Sequence, residues 1–142
     1  MPSATRKFVF NGDFVDRGEY GVEVMCLLLA LVLAGPGNVA LNRGNHEDLE
    51  LVQVYGFRDE CVEKYDDEIF DQFIQVFRHL PLFTMLDREV FIVHGGLFID
   101  RTVKLAELAG IDRQNYESVP ELPYPDCLEG LDAAGQWAAF YR

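Results

Sequence analysis

Three short apolar runs, at residues 7–11, 39–41 and 90–93, each end directly in a polar, glycine-bearing loop. The first opens into Gly12-Asp13-Phe14-Val15-Asp16-Arg17-Gly18, the second into Gly44-Asn45-His46-Glu47 and the third into His94-Gly95-Gly96. Short β-rich runs of this kind read as interior strands. The stretches between them have helical character, so the chain is expected to be an α/β protein. In layered α/β proteins, ligand sites lie beyond the carboxyl ends of such strands. The three loops are therefore expected to share one site.

The intervening segments support this order. Residues 19–34 are rich in Leu and Ala and stop at Gly35-Pro36-Gly37, which predicts a helix. Its apolar part, residues 22–34, contains Glu23 and is far shorter than the roughly 20 residues a bilayer requires, so it reads as a buried core helix. Residues 65–79 place Ile69, Phe70, Phe73, Ile74 and Phe77 at helical spacing, and Pro81 closes the segment. Residues 82–86 and 90–93 flank Asp87-Arg88-Glu89 as a hairpin or two adjacent strands. Residues 104–109 predict one further helix. Residues 118–125 hold three prolines, and residues 115–142 are expected to form an irregular tail after a domain spanning 1–114.

A chain of 142 residues is one domain at most, or a piece of a larger one. Its net charge of −12 excludes a general nucleic-acid or membrane-surface binder, which would need excess Lys and Arg. Cys26, Cys61 and Cys127 form no CxxC pair, so neither a disulfide framework nor a zinc ribbon is indicated. Reduced thiols in the cytoplasm or nucleus are expected. Residues 1–7 lack the apolar stretch of a signal peptide.

Each loop offers specific chemistry. Asp13 follows a strand and a glycine, so its carboxylate can project from a tight turn and bridge two divalent cations. Arg17 can grip phosphate oxygens with a bidentate fork. Asn45 offers an amide oxygen to a hard cation and an NH2 to a phosphate oxygen. His46 diverges from it, and with a carboxylate partner such as Asp16 could protonate a departing alkoxide. His94, at a strand end before two glycines, can reach a metal with little strain. Each loop also has a plainer reading: a polar turn, a helix N-cap at Asn45 or Asp48, or a satisfied structural histidine. His79 reads as structural, Tyr65-Asp66-Asp67-Glu68 as a solvated helix start, and Phe70, Phe73 and Phe77 as core.

Taken together with Asn42-Arg43-Gly44-Asn45-His46-Glu47-Asp48, Tyr55-Gly56-Phe57 and His94-Gly95-Gly96-Leu97-Phe98, the three motifs resemble the phosphoprotein phosphatases, within the calcineurin-like metallophosphoesterases. The resemblance is strongest to the EF-hand-containing and tetratricopeptide-containing branches. It implies an α/β metallophosphoesterase fold, a central β-sandwich flanked by helices, here without its N- and C-terminal portions. It implies hydrolysis of phosphoserine and phosphothreonine in proteins by a metal-activated water. Two divalent ions are implied, Mn2+ or else Fe or Zn. Asp13 would bridge them, Asn45 and His94 would ligate the second, Arg17 and Asn45 would bind phosphate, and His46 with Asp16 would be the general acid.

The family's upstream Gly-Asp-x-His-Gly motif has no counterpart, because residues 1–11 contain neither aspartate nor histidine. Its later histidine ligand, second arginine and Trp-Ser-Asp-Pro segment are also unmatched. Weak or no activity is therefore expected of these 142 residues alone. The resemblance leaves room for a regulatory subunit or domain. Two rival readings are a different metallophosphoesterase, such as a dinucleotide polyphosphate hydrolase, and a degenerate, non-catalytic phosphatase serving as a binding module.

Overall fold

The computed structural model describes residues 2–96 and 102–114. Within them the chain runs β1 (Phe8–Phe10), α1 (Gly21–Ala34), β2 (Val39–Leu41), α2 (Leu49–Tyr55), α3 (Phe57–Lys64), α4 (Asp67–His79), β3 (Phe83–Leu86), β4 (Val90–Val93) and α5 (Leu105–Ala109). It divides into two compact units, Met1–His94 and Gly95–Arg142. The second contributes α5 to the described residues, its first turn held by Glu107, whose carboxylate accepts from the Lys104 N–H at 2.7 Å. The tail expected over 115–142 lies outside the described residues.

In the first unit, β1 and β2 pair in parallel with Phe8 opposite Val39 and Phe10 opposite Leu41. A parallel pair needs a crossover, and α1 supplies it. The second sheet is the antiparallel hairpin β3–β4, with Phe83 opposite Val93 and Leu86 opposite Val90. Its turn puts both Asp87 and Arg88 at positive φ, and the Glu89 N–H donates to the Leu86 carbonyl at 2.9 Å. Two adjacent left-handed residues are what a type I′ hairpin turn requires.

The core gathers Val22, Met25 and Leu28 of α1, Val39 and Leu41 of β2, Val52 of α2, and Phe57 and Cys61 of α3 against Phe70, Phe73, Ile74 and Phe77 of α4. The Phe57 ring meets Phe73 edge-on at 5.4 Å and Phe77 at 5.7 Å. The phenylalanine stripe is thus core, as its spacing predicts. The reading of 22–34 as a buried helix needs correction. Val22, Met25 and Leu28 are buried and Leu29, Leu31 and Val32 partly so, while Leu27 is 62% and Leu33 79% exposed. The i, i+3, i+6 positions face the core, and the apolar residues between them face solvent.

Two helix starts matter for the site. Asp48 caps α2, its side chain accepting from the Glu50 N–H. Gly56, at φ 113°, is both the C-cap of α2 and the N-cap of α3. A left-handed residue there lets the chain end one helix and begin the next without an intervening loop.

Candidate metal centre

Asp13 and Asp16 both adopt left-handed backbone, at φ 58° and 69°. Aspartate tolerates that region better than most residues, but the conformation still has to be held from outside. Glu47 holds Asp13. Fully buried, its carboxylate accepts from the Asp13 N–H at 2.9 Å, the Phe14 N–H at 2.7 Å and the Gly44 N–H at 2.8 Å. One side chain therefore clamps the loop after β1 to the loop after β2. Burial pushes the Glu47 carboxyl above its ordinary range, opposed by the three amides that favour the ionised form.

The two loops touch so closely that glycine is required. A methyl group at Gly44 would stand 2.6 Å from Asp13 Oδ1 and 2.7 Å from Glu47 Oε2, and one at Gly12 2.6 Å from His94 Nδ1.

Three side chains converge beyond this clamp. His94 Nε2 lies 3.2 Å from Asp13 Oδ1 and 3.2 Å from Asn45 Oδ1. Its other ring nitrogen, Nδ1, lies 2.5 Å from the Asn11 carbonyl oxygen. A carbonyl only accepts, so Nδ1 carries the proton, and in the neutral ring Nε2 presents a lone pair. A nitrogen lone pair, a carboxylate oxygen and an amide oxygen then face one another. Such a cluster of acceptors is repulsive until a cation joins it. Two oxygens and an imidazole nitrogen suit a borderline divalent ion of the Mn, Fe or Zn kind. The donor set fits one ion. Among the described residues no group of three or more His, Cys, Asp or Glu gathers to hold a metal, because one donor of this trio is the Asn45 amide.

Arg17 stands at the open side, its side chain 74% exposed and its Nη2 3.5 Å from Asp13 Oδ2. An exposed pair at that distance is weak, so the guanidinium is free to take an anion instead.

His46 and Asp16 form a separate buried pair, Nδ1 to Oδ2 at 2.9 Å. The other Asp16 oxygen accepts from the Phe57 N–H at 3.0 Å, and the Tyr55 ring meets the His46 imidazole edge-on at 4.9 Å. The Tyr55-Gly56-Phe57 segment therefore braces the pair at the junction of α2 and α3. The structure brings all six expected residues into one unit: Asp13, Asn45 and His94 as a cluster, Arg17 beside it, and His46 with Asp16 alongside.

Sequence reading missed what supports them. It assigned no task to Glu47 or Asn42, and none to Tyr55 beyond family likeness.

The calcineurin-like phosphoesterase family model matches residues 4–138. The chain belongs to the calcineurin-like phosphoesterase family. It is 47% identical over 112 residues to the serine/threonine-protein phosphatase T of Schizosaccharomyces pombe, covering 79% of this chain and 24% of that protein. To the serine/threonine-protein phosphatase rdgC of Drosophila melanogaster it is 47% identical over 129 residues, covering 89% of this chain and 19% of the relative. To human serine/threonine-protein phosphatase 5 it is 42% identical over 113 residues, covering 80% and 23%. A solved structure of a protein serine/threonine phosphatase from Saccharomyces cerevisiae, described as similar to human phosphatase PP5, superimposes with a TM-score of 0.76 at 43% identity. That match covers 79% of this chain and 36% of the other. The phosphoesterase chain thus spans about a quarter or less of the length of these curated relatives. The shared fold is mixed α/β, as the alternation of apolar runs and helices predicts.

Proposed function

We propose that this phosphoesterase chain carries part of the catalytic centre of a metal-dependent protein serine/threonine phosphatase, within residues 1–114. The observation behind the reading is the convergence of Asp13 Oδ1 and Asn45 Oδ1 on His94 Nε2, each 3.2 Å from it. Asp13, Asn45 and His94 would hold one divalent ion, and Asp13 would be shared with a second. Mn2+ is the favoured ion. Divalent ions at such a centre neutralise phosphate charge and acidify water.

The chain's own residues do the rest. Arg17, and the Asn45 amide if it turns its NH2 outward, bind phosphate oxygens and orient the ester. His46 holds the proton for the leaving alkoxide on Nε2, while Asp16, on Nδ1, fixes the ring and stabilises its charged form. The substrates are phosphoserine and phosphothreonine proteins, a reading supported by relatives named serine/threonine-protein phosphatases. A protein surface, not nucleic acid or membrane, suits a net charge of −12, and no helix among the described residues is long and apolar enough to cross a membrane. The free thiols of Cys26 and Cys61 support a cytoplasmic or nuclear setting.

Three donors on one ion and Asp13 alone on the other would leave much of the coordination to water, so the 142 residues alone should bind Mn2+ weakly and turn over slowly. Calorimetric titration with Mn2+, paired with phosphopeptide hydrolysis, tests this. The expected result is weak binding lost in Asp13→Asn and His94→Ala, with turnover far below the roughly 1–1000 s⁻¹ of ordinary enzymes. Binding that neither substitution disturbs would overturn the site.

A further inference from the structure

The two sheets share no backbone ladder, yet His94 on the second must meet Asp13 and Asn45 on loops that leave the first. A polar seam spans the gap. Asn42, directly after β2, is completely buried and uses both faces of its amide. Its Nδ2 donates to Asn11 Oδ1 at 2.7 Å and to the Ile92 carbonyl at 3.1 Å, and its Oδ1 accepts from the Thr84 hydroxyl at 2.7 Å. Asn11, directly after β1, donates in turn from Nδ2 to the Val93 carbonyl at 3.0 Å. The same Asn11 offers its backbone carbonyl to His94 Nδ1.

We infer that the Thr84–Asn42–Asn11 seam is the positioning device of the metal centre. It sets the Asn11 carbonyl against the end of β4, pins the proton of His94 on Nδ1, and so keeps the Nε2 lone pair aimed at the Asp13 and Asn45 oxygens. Asn42, Thr84 and the Asn11 side chain touch neither the metal donors' reacting atoms nor any substrate position; they act through His94. The inference rests on the proposed reading of His94 as a metal donor. The plain alternative is that Asn42 merely joins two sheets, as any buried amide must be satisfied somewhere.

Stability and site geometry separate the two. Asn42→Leu strands the Thr84 hydroxyl and the Ile92 carbonyl, which costs stability in either case. Adding Thr84→Val removes the stranded hydroxyl, and replacing both partners with apolar groups of similar shape brings stability back toward the starting level. A joining role then predicts that metal affinity returns with stability. A positioning role predicts that it does not: Mn2+ affinity stays roughly 10- to 100-fold lower, the usual cost of losing a residue that orients a ligand.

The experiment uses the whole 142-residue chain. Nitrogen NMR of the His94 ring without metal reports the tautomer, calorimetry reports Mn2+ affinity, and urea unfolding reports stability. The unsubstituted protein should show a single Nδ1–H tautomer, and Asn42→Leu/Thr84→Val a mixture with weakened Mn2+ binding. Asn11→Ala, at an exposed residue, cuts the seam at the cost of one Asn42 N–H partner and should shift tautomer and affinity in the same direction. Unchanged ring signals in Asn11→Ala, or full recovery of both readouts in the double variant, would overturn the inference. If the unsubstituted chain binds no Mn2+, the phosphatase reading fails on that ground, and the tautomer comparison alone still decides the role of the seam.

Discussion

Glu47 shows how one residue can govern a site without touching what the site binds. Its two oxygens take three backbone N–H groups, from Asp13, Phe14 and Gly44, and neither oxygen carries a donor that would oppose them when the carboxylate is ionised. Glu47→Gln keeps the size and the negative-to-neutral change relieves burial, but it turns an NH2 toward at least one of those donors. A buried, unsatisfied donor costs about 1–3 kcal/mol, so the substitution should lower the unfolding free energy read from the urea titration by that amount. An unchanged midpoint would show that the clamp is not needed. Cysteine provides a second residue-scale contrast. Cys61 is wholly buried, and burial raises its thiol to about 12, whereas Cys26 is exposed. Thiolate is the reactive form, so at pH 8 iodoacetamide should label Cys26 and spare Cys61, as read by peptide mass spectrometry. Equal labelling of both would contradict the burial. The sign for stability follows: a folded value raised above the unfolded 9.0 favours folding below pH 9, and that contribution fades as pH rises toward 12.

At the scale of elements, α1 begins without a cap of its own. Tyr20 makes no side-chain cap, and Glu60 on α3 serves instead, accepting from the Gly21 N–H at 3.1 Å and the Val22 N–H at 2.9 Å. Lys64 ties this cap down, its ammonium 2.9 Å from Glu60 and 2.7 Å from Glu23. Hydrogen bonding to Glu23 raises the lysine and lowers the glutamate, so both stay charged. Removing a capping side chain costs about 0.5–2 kcal/mol, so Glu60→Ala should destabilise by that much and speed amide exchange at Gly21 and Val22. Exchange that stays as slow as before would count against a cap supplied from α3. This arrangement also marks the limit of what was legible in the sequence. Helices α1 and α4 and the β3–β4 hairpin follow local periodicity and turn chemistry, and they lie where that pattern puts them. Helices α2 and α3 were not separable, because their boundary is one glycine and α3 buries only Phe57 and Cys61. The Asp13, Asn45 and His94 cluster could be named because Asp, Asn and His advertise chemistry at strand ends. Asn42 and Glu60 could not, because the partners of Asn42 and the Gly21 and Val22 N–H groups that Glu60 takes lie 31 or more residues away, and no local pattern encodes such a pairing.

At the scale of the whole molecule, two surface properties oppose each other. A net charge of −12 repels like copies, while the outer face of α1 leaves Leu27 and Leu33 in water. Exposed apolar area of this kind favours association, and long-range charge repulsion restrains it. The repulsion is the salt-sensitive partner, because the screening length falls from about 10 Å at 0.1 M to about 3 Å at 1 M. Raising salt should therefore shift the chain toward oligomers in sedimentation velocity. Leu27→Lys with Leu33→Glu removes the apolar face and leaves the net charge at −12, since the added charges cancel. That variant should sediment as a monomer at both salt concentrations. Its unfolding free energy should change by no more than about 0.5 kcal/mol, as expected for surface positions outside the core. Association that persists in the variant would place the sticky surface elsewhere, and a monomer that ignores salt before substitution would remove the apolar face as a cause of association altogether.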